Sequence, residues 1–129
     1  MSEGAMGIKT LDPSDPAYRG DYDNDDETSG HNYHQGPEWL WPVGYFLQAK
    51  LRFCDYKNKA EATHDILRVL LPHQRHMLKE DPWHSLPELT NAEGKHCHHS
   101  CPAQAWSIAT ILDALVQLDS APKQLFSQE

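Results

Sequence analysis

No stretch of this sequence reaches the roughly 20 consecutive apolar residues that a membrane-spanning helix requires. The first ten residues, Met1 to Thr10, carry neither the apolar segment nor the cleavage site of a secretory signal. Cysteine is scarce. Cys54, Cys97 and Cys101 make an odd count, too few for a disulfide scaffold, and point to a reducing, cytoplasmic compartment. A glycine-rich phosphate loop is missing, so nucleotide binding has no support. Basic charge is short as well: 11 Lys and Arg against 19 Asp and Glu give a net charge of −8. That balance argues against nucleic acid, where basic patches supply most of the affinity. It suits a neutral partner such as a polyol or sugar without demanding one. There is no internal repeat.

What is present is unevenly distributed. A length of 129 residues fits one compact domain or a piece of a larger one. With 39% hydrophobic residues and a mean hydropathy of −0.71, the chain is lean for a free-standing globule. Residues 1–34 read as an acidic, irregular segment, rich in Asp-Pro and Gly turn chemistry. Its acidic run over residues 21–27 reads as a solvated loop, because like charges repel and stay hydrated. Tyr18, Tyr22 and Tyr33 are placed to pin the segment onto a larger body. Residues 35–118 hold the apolar periodicity, and residues 119–129 form a polar tail.

Within 35–118 the spacing predicts three helices and an all-α class. Pro42 suits a helix start, where no amide hydrogen bond is needed and its φ is already helical. Val43, Phe46, Leu47, Leu51 and Cys54 then recur at three- and four-residue spacing, predicting a helix over 42–56. Asn58 with Glu61 three residues on resembles a capping box. It opens a second helix with Ala62, Ile66, Val69, Leu70 and Met77 on one face. Pro72 is expected to kink that helix or end it near Leu71. Pro102 is expected to open a third helix reaching Leu118, with apolar residues on more than one face. Three such helices do not close a core by themselves, which points to a terminal module or fragment of an all-α assembly. The link over 81–101 is long for a small domain, and such links are usually functional.

Three constellations could carry chemistry. His96, Cys97, His98, His99 and Cys101 offer imidazoles and thiols, as zinc sites do. A structural zinc site needs a second ligand pair, and only His73 and His76 are available, so a packed turn is the plainer reading. A small zinc-binding helical protein remains a rival. Cysteine nucleophile signatures are absent. The third constellation is a pair of carboxylates, Glu38 beside Trp39 and Trp41, and Glu88 beside Trp83 and Pro87. Paired carboxylates are the working parts of glycosidases. The alternative is two ordinary surface glutamates.

Three stretches carry a resemblance. Asn32-Tyr33-His34-Gln35-Gly36-Pro37-Glu38-Trp39-Leu40-Trp41-Pro42, Leu86-Pro87-Glu88-Leu89-Thr90-Asn91, and Gln104-Ala105-Trp106-Ser107-Ile108-Ala109-Thr110-Ile111-Leu112 resemble, in this order, the C-terminal end of the eukaryotic glycogen debranching family. Lys9-Thr10-Leu11-Asp12-Pro13 is similar to the same family slightly upstream.

The resemblance implies the C-terminal portion of a glucoamylase-like (α/α)6 toroid of helical hairpins. It also implies amylo-α-1,6-glucosidase activity on the single glucose left at a glycogen branch point, by inversion. On that basis Glu88 is the expected general base. Trp39 and Trp41 form the expected sugar platform, with Glu38, His34 and Gln35 as hydroxyl partners. Trp106 reads as a core anchor of the last helix. The implied partners are glycogen or limit dextrin and the rest of the debranching chain; no cofactor, metal, nucleic acid or membrane is expected. Three regions depart from the family pattern: Pro72, the His-rich segment 95–99 and the tail. None of Asp21, Asp23, Asp25 or Asp26 sits in a motif matching the family's general acid, and the 4-α-glucanotransferase domain is absent from these residues. The isolated chain is therefore expected to be inactive. The rival reading is a non-catalytic carbohydrate-binding or interaction remnant.

Overall fold

A computed structural model describes residues 4–23, 25–26 and 32–120. The apolar spacing does produce three helices. The first, α1 (Trp41–Phe53), places Pro42 in its opening turn and buries Val43, Gly44, Leu47 and Leu51. It stops short of Tyr56, whose hydroxyl leaves the helix line to donate to Asp65 at 2.7 Å. The second, α2 (Lys59–Arg75), starts as the capping residues predict: Asn58 accepts from the Glu61 amide at 3.0 Å. Glu61 returns a bond one residue further back than a capping box would, to the Lys57 amide at 2.9 Å. Asp65 also takes Lys50 at 2.6 Å, and that contact holds its carboxyl below the usual carboxylate range.

Two further boundaries, near Pro72 and Pro102, lie past the prolines. Pro72 does not end α2. Leu70 and His73 are buried on either side of it, and His73 bonds through Nε2 to the Met6 carbonyl at 2.5 Å. Those contacts carry the axis past the proline, and the ladder widens only afterwards, in a π turn over His76–Glu80. The third helix, α3 (Ala105–Ser120), begins after Pro102 rather than at it. The preceding residue, Gln104, spends its amide on the Leu86 carbonyl at 2.8 Å, which ties the chain to the long link before the helix can start.

The relative course of the helices follows from their contacts. Trp41 stacks on Trp106, Thr110 donates to the Trp41 carbonyl, and Gln48 donates to Asp113, so α1 and α3 run parallel. Between them in sequence, α2 runs back: Lys50 meets Asp65, while His73 reaches the Met6 carbonyl. Gly44 sets the closeness of α1 to α3, since a Cβ there would overlap the backbone of Thr110.

A three-stranded antiparallel sheet, not anticipated from the sequence, closes one end. Its strands are β1 (Ile8–Lys9), β2 (Glu38–Trp39) and β3 (Leu89–Thr90), in that order. Ile8 pairs with Trp39 and Lys9 with Glu38; on the other side Glu38 pairs with Thr90 and Trp39 with Leu89. The fold is thus mostly helical, as an all-α reading expects, with this small sheet added. The link over 81–101 is not featureless either. It contributes β3 and a short 3-10 turn at Ala92–Gly94.

The described part of the N-terminal segment is turns apart from β1 and a 3-10 turn at Asn32–His34, and it is pinned as its tyrosines suggest. The Tyr22 amide donates to Asn91 at 3.0 Å, and Tyr22 meets Tyr33 edge-on at 5.7 Å. The expectations for residues 27–30 and 121–129 lie outside the described residues.

The core joins Leu40, Val43, Leu47 and Leu51 to Ala62, Ile66 and Leu70, with Ile111, Ala114 and Leu118 from α3 and Met6 and Leu86 from the flanking segments. Full burial of each such Leu, Ile or Val is worth about 1.5–3 kcal/mol. The third helix buries only one stripe, Ser107, Thr110, Ile111, Ala114 and Leu118, and leaves Leu112 and Val116 exposed. Among the described residues no helix is long and apolar enough to cross a membrane.

Candidate functional site

Glu88 lies where the long link enters the sheet, and its backbone is held on both sides. Its N–H donates to the Cys101 carbonyl at 2.9 Å, and its carbonyl accepts from the Leu40 amide at 3.1 Å. The side chain is half-buried and takes the Gln104 side-chain amide on Oε1 at 3.1 Å. Ser107, fully buried, donates to the Pro87 carbonyl at 2.8 Å. The start of α3 therefore fixes the Leu86-Pro87-Glu88 turn. Gln104 and Ser107 were part of the third family-like stretch, but nothing in spacing alone marks them as supports of a carboxylate. Only the tertiary bond from Gln104 identifies them.

The same end of the molecule carries an aromatic pair. Trp41 and Trp106 stack with centroids 4.5 Å apart and planes 13° from parallel. Trp106 is 49% exposed, which corrects the expectation of a buried anchor. The reason is helical phase: the buried stripe passes through Ser107, Thr110 and Ile111, and Trp106 stands about 100° away from Ser107. Its indole therefore covers Trp41 instead of entering the core.

The expected Trp39–Trp41 platform is divided between two neighbours. Trp39 donates its indole N–H to the Tyr33 carbonyl at 2.8 Å, and its ring lies 5.7 Å from that of His34. His34 and Gln35 are exposed beside it. A chain of rings continues from His34 through Tyr33 and Tyr22 to His99.

Glu38 occupies a different place from the other candidates. Its side chain is 0% exposed. Oε2 accepts from the Met6 amide at 3.1 Å, the Gly94 amide at 3.1 Å and the Thr90 hydroxyl at 3.2 Å. Oε1 accepts from the Glu93 amide at 3.0 Å. A carboxylate so placed lies beneath the sheet and not at its surface.

The His/Cys cluster does not assemble a centre. Among the described residues no three His, Cys, Asp or Glu side chains are grouped so as to hold a metal ion. Cys97 is buried, which pushes its thiol up from the usual value, while Cys54 and Cys101 are exposed; all three are free. A groove of about 900 Å³ lies elsewhere, between α1, α2 and residues 4–6. Its cations are already paired, Lys50 and Arg68 with Asp65 and Arg75 with Glu80. Neither Glu88 nor a tryptophan lines it.

These features place the chain among mostly helical proteins that hold a loop carboxylate and a partly open indole pair at one end of a parallel helix pair. The family model described as Amylo-alpha-1,6-glucosidase matches residues 3–113, and the chain belongs to that family. It is similar to the glycogen debranching enzyme of Saccharomyces cerevisiae (strain ATCC 204508 / S288c), with 40% identity over 131 aligned positions. That alignment covers 89% of this chain and 8% of the yeast protein, so the chain spans a small part of the relative's length.

Proposed function

We propose that this chain supplies the general-base half of an amylo-α-1,6-glucosidase site acting on glycogen or limit dextrin in the cytoplasm. The observation that carries the reading is Glu88: a half-buried carboxylate, fixed by its own backbone and by Gln104, on a turn that Leu40 and Ser107 tie to the segments bearing the Trp41–Trp106 stack. Stacked indoles offer flat apolar faces on which sugar rings pack. In the inverting scheme the Glu88 carboxylate takes a proton from water as the water oxygen bonds to C1 of the branch glucose. The C1–O6 bond breaks on the opposite face, and a general acid protonates O6. That acid and the 4-α-glucanotransferase activity belong to parts of the family's fold outside these 129 residues. Trp41 with Trp106, and Trp39 with His34 and Gln35, are the candidate surfaces for glucosyl rings and their hydroxyls. The parallel course of α1 and α3, with α2 returning between them, supports reading the three as part of an (α/α)6 toroid.

The test is Glu88→Gln in a full-length debranching enzyme carrying this segment. Loss of a general base lowers kcat by roughly 10²–10⁴-fold, with KM for limit dextrin little changed and the transferase activity intact as a folding control. Retention of more than about a tenth of the glucosidase activity, well short of that loss, would overturn the base assignment. It would also favour the rival reading, a carbohydrate-binding remnant resting on the Trp41–Trp106 stack.

A further inference from the structure

We infer that Glu38 is the positioning residue that holds the Glu88 loop in place, and that it does not contact the sugar. The inference rests on the reading of Glu88 as the base.

Three separate segments converge on the Glu38 carboxylate: residue 6 of the N-terminal segment, Thr90 of β3, and the turn at 93–94. Three of the four donors are backbone amides, which can only donate, so both oxygens serve as acceptors inside the protein. A carboxylate buried this way is costly unless its oxygens are satisfied, and here four donors satisfy them. Glu93 and Gly94 are both left-handed, with φ of 63° and 73°. In this turn two consecutive amides donate to the one carboxylate, as in a small anion-binding nest. The carboxylate is what makes this turn favourable.

The turn and Thr90 are directly linked to Glu88. Thr90 lies two residues beyond it, Glu38 pairs with Thr90 across the β2–β3 ladder, and the Leu40 amide holds the Glu88 carbonyl. Fixing Glu38 therefore fixes the strand partner of the Glu88 loop from below, while Gln104 fixes the side chain from α3. Glu38→Gln puts an NH2 group where one of these oxygens accepts, setting donor against donor.

A double-mutant cycle in a full-length debranching enzyme carrying this segment tests the inference. Glu38→Gln is expected to lower kcat for limit dextrin about 10–100-fold, with KM within about twofold, when Glu88 is present; this is the range set by misplacing a catalytic group. In a Glu88→Gln background the same change is expected to cost less than about twofold, because residues acting as one unit are not additive. An equal cost in both backgrounds, or a rise in KM with kcat retained, would show that Glu38 acts on its own and overturn the inference. Should Glu88→Gln itself leave turnover unchanged, the base reading fails, and amide exchange in the 129-residue chain then decides the positioning role. Glu38→Gln should speed exchange at Leu40 and Glu88 at least tenfold and leave Ile66 and Leu70 in α2 unchanged. No acceleration, or equal acceleration in α2, overturns the role.

Discussion

Replacing Gly44 by alanine sets two effects of opposite sign against each other. Glycine inside a helix costs about 0.8–1.0 kcal/mol relative to alanine, so propensity alone predicts that Gly44→Ala stabilises the protein. Gly44, however, faces Thr110 of α3 at the closest approach of the parallel pair. The added Cβ would lie inside the 3.0 Å that real Cβ atoms do not cross, against backbone carbon and oxygen that cannot rotate away. The helices must separate. Separation opens the packing of Val43 and Leu47 against Ile111 and Ala114, and loosens the 2.9 Å bond from Thr110 to the Trp41 carbonyl. Overpacking of this kind costs about 1–3 kcal/mol, and the hydrogen bond about 1 kcal/mol more. The net expectation is a destabilisation of about 1–3 kcal/mol after the propensity gain is subtracted. Urea denaturation followed by tryptophan fluorescence measures it, because the Trp41–Trp106 stack bridges the same two helices. A variant as stable as the parent or more so would refute the argument, since it would mean that propensity outweighs contact at this position.

Two further outcomes follow from buried and strained groups. Burial holds the imidazole of His73 neutral, its pKa pushed down from 6.5 to about 4. The unfolded chain takes a proton below pH 6.5 and the folded one does not until about pH 4. Stability is therefore full above pH 6.5 and falls as the pH drops toward 4, by roughly 3 kcal/mol at about 1.4 kcal/mol per pH unit. Thermal melts between pH 4 and 7 should show this slope, and His73→Gln should flatten it; an unchanged slope would place the acid sensitivity elsewhere. Glu93 is exposed and left-handed without being glycine. Glu93→Gly keeps the amide that serves Glu38, relieves the backbone, and should stabilise the protein by about 1 kcal/mol in a urea titration. A loss of stability would mean that the Glu93 side chain contributes more than its backbone strain costs.

Much of the helical framework was legible in the sequence because helix formation is a local matter. Val43, Leu47 and Leu51 share one face at a fixed spacing, and Asn58 with Glu61 marks a helix start whatever surrounds it. The boundaries were less so. Pro72 reads as a kink or a stop by local rules; it does not stop the helix, since Leu70 and His73 are held by distant partners and carry it on to Arg75. Strands of two residues leave no periodicity to detect, and each pairs with a segment about 30 to 50 positions away.

The site divides in the same way. Three ordered stretches of sequence carried the family likeness, and through that likeness the Leu-Pro-Glu turn of Glu88 stood out. Residue types and spacing alone did not separate Glu38 from Glu88, since each follows a proline with tryptophan nearby; the resemblance assigned Glu88 as base and Glu38 as a hydroxyl partner. Long-range contacts distinguish them: amides from residues 6, 93 and 94 bury Glu38 completely, while Glu88 stays partly open to solvent, with Gln104 donating to its side chain. A residue's neighbours in sequence fix its type of chemistry. Which of its atoms remain free to act depends on partners that only the folded chain brings within 3 Å or so, the range of a hydrogen bond.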